Sequence, residues 1–172
     1  MTNDIISLIA NIALALSFIV GLIFGITQVK AAARDRRERF SLEALRSFQT
    51  REFSELMQYI IWHDIPKNRD EILAHPVNDQ IIFIQFSQVM EALGILVAEK
   101  YISIDLVDKT LGSFITTSWD KFRPVVLSIR ETQPNQDPFM SEYFQWLAEC
   151  IDKRMRERPR KPFYETRKHI TN

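Results

Sequence analysis

Residues 5–29 carry no charged side chain, and this apolar run ends directly in a basic cluster. About 20 residues of apolar helix cross the hydrocarbon core of a bilayer, so the run is long enough to be a transmembrane helix. Its polar residues are Ser7, Asn11, Ser17, Thr27 and Gln28. Lys30, Arg34, Arg36, Arg37 and Arg39 follow, diluted by Asp35 and Glu38, and Asp4 is the only charged side chain before the run. Lys and Arg near a span are retained on the cytoplasmic side. The expected topology is therefore single-pass, N-terminus outside, with everything after Lys30 in the cytoplasm and the five basic residues at the inner membrane surface. A secretory signal peptide has the reverse layout, a basic start and an apolar core of roughly 7–15 residues. Here the start is acidic and the run too long. Ala31-Ala32-Ala33 thus reads as helix continuing beyond the membrane rather than as a cleavage site.

Within the span, Ala13, Ser17, Gly21 and Gly25 recur every fourth residue and form one small-residue stripe. Gly21 and Gly25 make a GxxxG pair, which lets two helix backbones approach closely in lipid. The expectation is a homo-oligomer held through the transmembrane helix. Asn11 lies off this stripe. It either finds a partner on a second neighbour, in which case the assembly exceeds a dimer, or sits wet among the outer headgroups.

About 140 residues remain after the anchor, enough for one domain with its own core. Only four glycines occur, two of them in the anchor, and no GxxxxGKS/T or GxGxxG sequence is present. Phosphate-cradling loops and tight hairpins are thereby excluded. A single cysteine, Cys150, rules out an internal disulfide. The formal net charge of zero conceals a segregation: residues 30–39 carry +3, 40–152 carry −8 and 153–168 carry +6. The basic C-terminal segment is either drawn to an anionic leaflet or a solvated tail.

Apolar spacing of three and four predicts helices throughout. Thr50 is placed as the N-cap of a helix burying Phe53, Leu56, Met57, Ile60 and Ile61 and ending before Pro66. A polar loop then runs to Pro76. Residues 79–100 read as a central helix, apolar almost all round and so expected to be buried on several sides. Ser103 caps the next helix, with Val107, Leu111, Ile115, Trp119 and Phe122 in its core stripe. Pro124 either kinks that helix or begins another. Pro134 and Pro138 bracket a loop before the last helix, residues 140 to about 156. Gly94 and Gly112 interrupt helices at about 1 kcal/mol each, a cost that a close helix crossing would offset. The fold class expected is all-α: one transmembrane helix with its juxtamembrane stalk over residues 1–39, a cytoplasmic bundle of four to five helices over 40–156, and a basic tail over 157–172.

Glu91-Ala92-Leu93-Gly94-Ile95-Leu96-Val97 and Tyr101-Ile102-Ser103-Ile104-Asp105-Leu106-Val107 are the first two segments of a wider pattern. With Gly112-Ser113-Phe114, Trp119, Pro124, Arg130 and Tyr143-Phe144-Gln145-Trp146-Leu147, the sequence resembles a bacterial family of membrane-anchored helical domains of unknown function. The resemblance spans roughly residues 5–155. It implies an N-terminal membrane helix, a small helical cytoplasmic domain and the bacterial inner membrane as location. It implies no activity.

Chemistry-bearing residues are scattered. His63, His75 and His169 have no metal-ligand spacing. His63 and Asp64 are adjacent and do not face each other on a helix. Cys150 lies on an apolar face, as a small core hydrophobe does. Trp62, Trp119 and Trp146 read as core or interface aromatics. Glu91 stands out as a carboxylate in the most apolar helix. A buried carboxylate needs a cationic partner or a raised pKa, and Arg123 or Arg130, near Trp119, are the candidate partners. Glu91, Trp119, Arg123 and Arg130 are therefore grouped as a possible buried polar cluster. No catalytic residue, cofactor or metal is expected, and nucleic acid is not an expected partner. The function read from the chain is an interaction or regulatory module acting by self-assembly or by docking a membrane or cytoplasmic protein. The alternative is an oligomeric, channel-like membrane effector gated by a signal that the helical domain senses.

Overall fold

The computed structural model describes residues 2–132 and 137–166. Among them the secondary structure is wholly helical: α1 Thr2–Ser47, α2 Arg51–Trp62, α3 Arg69–Ala74, α4 Val77–Ala98, α5 Ile104–Thr132, α6 Glu142–Glu157 and α7 Phe163–Thr166. Pro134, and Arg167, Lys168 and His169 of the tail, lie outside the described residues. The chain divides into two compact units, residues 1–43 and 44–172.

The first unit is α1 up to Glu43, the apolar run together with the basic segment that follows it. Every side chain from residue 5 to residue 40 is exposed, including Ile5, Leu14, Phe18 and Phe24. Only α1 and α4 among the described helices are long and apolar enough to cross a membrane. They differ in kind. None of the α1 apolar window is buried, whereas α4 supplies core side chains to the second unit.

The second unit is built around α4, α5 and α6, with α6 packed on both of the others. Phe86, Met90 and Leu93 from α4, Val107, Ile115 and Val126 from α5, and Phe144, Leu147 and Ile151 from α6 are fully buried in one cluster. Phe86 sits at its centre, with the rings of Phe114, Phe122 and Phe144 at 5.8, 5.0 and 5.9 Å. From α2 come Phe53, Leu56 and Ile60, the face the spacing predicted, but Ile61 is exposed. Trp62 is likewise exposed and Trp146 partly so, which removes both from the core and leaves Trp119 as the buried tryptophan. One face of α4 also departs from expectation. Ile81 and Ile84 are exposed, so this helix is buried on one side only despite being apolar all round.

The helix ends have local causes. Thr50 accepts a hydrogen bond from Phe53 N at 3.2 Å and caps α2. Residues 69–74, expected to belong to a loop, form a helical turn because Asn68 caps it: Glu71 N donates to Asn68 Oδ1, and the Glu71 carboxylate reaches back to accept from Lys67 N and from Asn68 Nδ2. Downstream, α4 ends at Ala98 and Lys100, two residues on, turns the chain at φ 60°, where glycine would be the usual residue. Tyr101 N bonds Leu96 O and Lys100 N bonds Val97 O, which satisfies the last carbonyls. Pro124 neither breaks α5 nor starts a new helix. The carbonyl it leaves without a helical donor belongs to Asp120, and both residues face water, which can replace the missing bond.

Candidate functional site

Polar chemistry inside the second unit converges on the start of α6. Ser141 occupies its N-cap position in a left-handed conformation, φ 55°, and is buried. Its hydroxyl does not cap the helix; it meets Ser87 Oγ of α4 at 2.9 Å. The cap comes instead from Glu91, one turn further along α4. Its Oε1 accepts from Tyr143 N at 3.2 Å and its Oε2 from Phe144 N at 2.9 Å. A carboxylate so placed satisfies two N–H groups that a helix start leaves open, and it meets the positive end of the helix dipole.

Arg130, in the last turn of α5, holds the other side of the same segment. Nε and Nη2 donate to Met140 O at 2.9 and 2.6 Å, and Nη1 donates to Gln145 Oε1 at 2.7 Å. The expected pairing of Glu91 with Arg130 or Arg123 is therefore corrected. Glu91 is half-buried, and both it and Arg130 bind the α6 segment from opposite neighbours, while Arg123 is exposed on α5 and belongs to no cluster. Trp119 is buried as expected, but through its ring, 5.1 Å from Phe144 and close to edge-on. Of the four grouped residues, three thus meet around residues 140–145, through backbone groups and an aromatic ring rather than through an ion pair. Sequence spacing shows side-chain periodicity but not which backbone amides lie within reach, and so it suggested a cation.

A second junction escaped the sequence reading altogether. Lys121 Nζ donates to the carbonyls of Ile60, Ile61 and His63 at 2.8, 2.8 and 3.1 Å, closing the C-terminus of α2 from the middle of α5. His63 stacks on Tyr59 with ring centres 4.1 Å apart, and its Nδ1 lies 2.9 Å from Tyr59 O. Burial, then a hydrogen bond to Asp79 and that carboxylate's charge, push the Tyr59 phenol above its ordinary range. Cys150 is half-buried, and burial followed by Glu149 pushes its thiol up, against the pull of Lys153 and Arg154. A raised thiol pKa opposes the thiolate that nucleophilic chemistry requires. Among the described residues no group of three or more His, Cys, Asp and Glu could hold a metal ion.

The remaining predicted positions lie on the surface. Ala13, Ser17, Gly21 and Gly25 are exposed on one face of α1, and a Cβ added at either glycine meets nothing within 4 Å. Lys30, Arg34, Arg36, Arg37 and Arg39 are exposed as well, with Arg34 paired to Glu38 at 3.0 Å. Toward the C-terminus, Arg154 bonds Asp105 and so ties the last turn of α6 to the first of α5, while Arg156 pairs with Asp152. Arg158 and Arg160 line a cleft of about 620 Å³ with Asp105, Asp108 and Lys109. At least the start of the basic segment thus faces acidic residues of its own domain.

Compared with known proteins, no curated protein and no solved structure matches the chain. A family described as "Domain of unknown function (DUF4760)" matches residues 15–152. That match takes in α2 to α5 and most of α6, with Glu91, Lys121, Arg130 and the start of α6 inside it, together with the second half of the apolar run. The chain belongs to the DUF4760 family.

Proposed function

We propose that this chain is a single-pass protein of a bacterial inner membrane, with its N-terminus outside and its helical domain in the cytoplasm. The domain works as an interaction or regulatory module, by assembling with itself or by docking a protein partner, and performs no chemistry of its own. One observation carries the reading. A run of 25 uncharged residues, exposed along α1, sits in the same chain as a separate unit with a complete core of its own. Lipid is the solvent that such a run fits. The five basic residues that follow it orient the helix.

The polar residues of the domain support the same reading. Glu91 and Lys121 hold backbone groups of neighbouring helices, and Arg130 holds the Met140 carbonyl and the Gln145 side chain. Groups used in that way hold shape; they do not turn over a substrate.

Paired fusions at the C-terminus test the topology. A fluorescent reporter there should light up in the cytoplasm, and an alkaline phosphatase fused at the same point should be inactive. An active phosphatase would reverse the orientation and remove the cytoplasmic module. Steady ion conductance through liposomes carrying the purified chain would replace the docking module with a channel-like assembly.

A further inference from the structure

The basic residues at the end of α6 and those beyond it are used differently. Lys153, Arg154 and Arg156 each have a carboxylate partner within the domain: Glu157, Asp105 and Asp152. Arg158, Arg160 and Lys161, and Lys109 of α5, are exposed and form no ion pair among the described residues. The structure brings these four cations together. Lys109, Arg160 and Lys161 line a cavity of about 550 Å³ with Pro162, Phe163 and Thr166, and none of these residues is a carboxylate. The Thr166 hydroxyl donates to Phe163 O at 2.9 Å, so the cavity offers positive charge beside an aromatic ring. Lys109 and Arg160 also border the 620 Å³ cleft that Arg158 lines. Of the three carboxylates there, Asp105 is taken by Arg154 and Glu157 by Lys153. Phe163 and Tyr164, next to the cations, are 69 and 74 % exposed. Glu165 is the one carboxylate after Glu157 among the described residues, and it does not line the 550 Å³ cavity.

This chemistry fits an anionic phospholipid surface. Lys and Arg are attracted to an anionic leaflet within a Debye length of it, and their effects add. Exposed rings beside such cations match the headgroup level of a bilayer, where an aromatic side chain keeps its apolar body in lipid and its edge wet. The rest of the domain sharpens the orientation. Residues 40–152 carry −8, so an anionic sheet repels the body and attracts this patch. A transmembrane anchor in the same chain keeps the leaflet at high effective concentration, so a patch too weak to bind alone can dock.

We propose that Lys109, Arg158, Arg160 and Lys161, with Phe163 and Tyr164, dock the helical domain on the anionic phospholipid surface of the membrane that α1 spans. The docking rests on the reading of α1 as an anchor and gives the domain a fixed face toward that membrane.

A dye on Tyr164→Cys, in a Cys150→Ala background, tests it with the full chain in liposomes that contain brominated phospholipid. Quenching should be strong in vesicles rich in phosphatidylglycerol and weak in phosphatidylcholine alone. Salt at 1 M should remove it, since the screening length falls to about 3 Å. The combined change Arg158→Gln, Arg160→Gln and Lys161→Gln should shift the docking equilibrium by about a hundredfold, about fivefold for each charge. Those side chains are exposed and unpaired, so its urea melt should match the parent's; Lys109→Gln, in the folded core of α5, should shift docking by about fivefold. Equal quenching in the two lipids, or unchanged quenching in the triple variant, would overturn the proposal. An early melt of the triple variant would do the same, because the segment would then be a clamp on its own domain. Relief of quenching by glycerol phosphate at constant ionic strength would make the cavity a site for free phosphate esters instead. Carbonate extraction separates this proposal from the anchor reading. A chain retained by the vesicles but unquenched keeps the anchor and loses the patch. A chain washed out by carbonate loses the anchor; its flotation with phosphatidylglycerol vesicles would still support the patch, and failure to float would overturn it.

Discussion

A β-carbon built on Gly94 would stand 2.4 Å from the carbonyl oxygen of Tyr143 and 2.6 Å from its carbonyl carbon. At this point α4 and α6 touch backbone to backbone, next to the two amides that Glu91 holds. At Gly112 a β-carbon would meet Asp108 Oδ1 of the same helix at 2.6 Å, while its nearest neighbour on α6, Ile151 Cγ2, is at an ordinary 3.5 Å. Both glycines interrupt a helix, but a close crossing accounts for Gly94 alone.

Opposite signs are expected for the two alanine substitutions. Gly94→Ala should destabilise the domain, because backbone cannot yield as a flexible side chain does; overpacking of about 1–3 kcal/mol exceeds the helix-propensity gain of about 1 kcal/mol. Gly112→Ala should be neutral or stabilising by up to about 1 kcal/mol, since Asp108 is free to rotate away. Urea melts of the full chain in detergent check both. A stable Gly94→Ala protein would show that the crossing is looser than 2.4 Å implies.

Removal of the cap on α6 should follow the chemistry of the acceptor. Glu91→Ala leaves the Tyr143 and Phe144 amides without their partner and should cost about 1–3 kcal/mol. Glu91→Gln retains an acceptor without the charge and should fall between alanine and the native residue. Arg130→Lys should recover only part of what Arg130→Ala loses, because an ammonium cannot reproduce the three-nitrogen grip on Met140 and Gln145. Equal losses for Gln and Ala at Glu91 would mean that charge alone, and not the hydrogen bonds, does the capping.

Much of this architecture was legible in the sequence and some was not, for reasons that particular residues make plain. Thr50, Phe53, Leu56 and Ile60 announced α2 because capping and helical periodicity are local. The core stripe of α5 was legible for the same reason. Asn68 and Glu71 were equally local, yet the helix they start is too short to show an apolar period. Glu91 was legible as an unusual carboxylate, but its partners are amides more than 50 positions away, a separation that no periodicity encodes. Ile81 and Ile84 show the converse: an apolar residue in an apolar helix gives no sign of which side its neighbours cover.

Alkaline conditions should weaken the domain. The Tyr59 phenol and the Cys150 thiol are both pushed up on folding, so the folded chain keeps protons that the unfolded chain has begun to release. Their contribution is fully present below the unfolded thiol value, roughly pH 8.5, and is lost as pH rises through the folded values. Tyr59→Phe and Cys150→Ser together should flatten the fall in melting temperature above about pH 8.5. Cys150 should also alkylate more slowly in the folded chain than in urea at the same pH. Equal alkylation rates would contradict the burial of the thiol.

If α1 is the anchor proposed above and packs on a second copy through its small-residue stripe, Gly21→Leu with Gly25→Leu should weaken self-association of the full chain in liposomes. About 1 kcal/mol for each lost close contact is about fivefold in association. Energy transfer between labelled copies at rising dilution measures it. No change would leave the assembly to the helical domain.

Lys121 gives the end of α2 an unusual dependence. The last turn of a helix is normally the first to fray, and its amides exchange with solvent through that local opening. Here the carbonyls of Ile60, Ile61 and His63 are held by a cation rooted in the middle of the longest helix of the domain. The last turn of α2 should therefore open together with α5 rather than on its own. Neutralising a single ammonium, in Lys121→Met, should then speed amide exchange at that turn, and an unchanged rate would show that the turn holds without it.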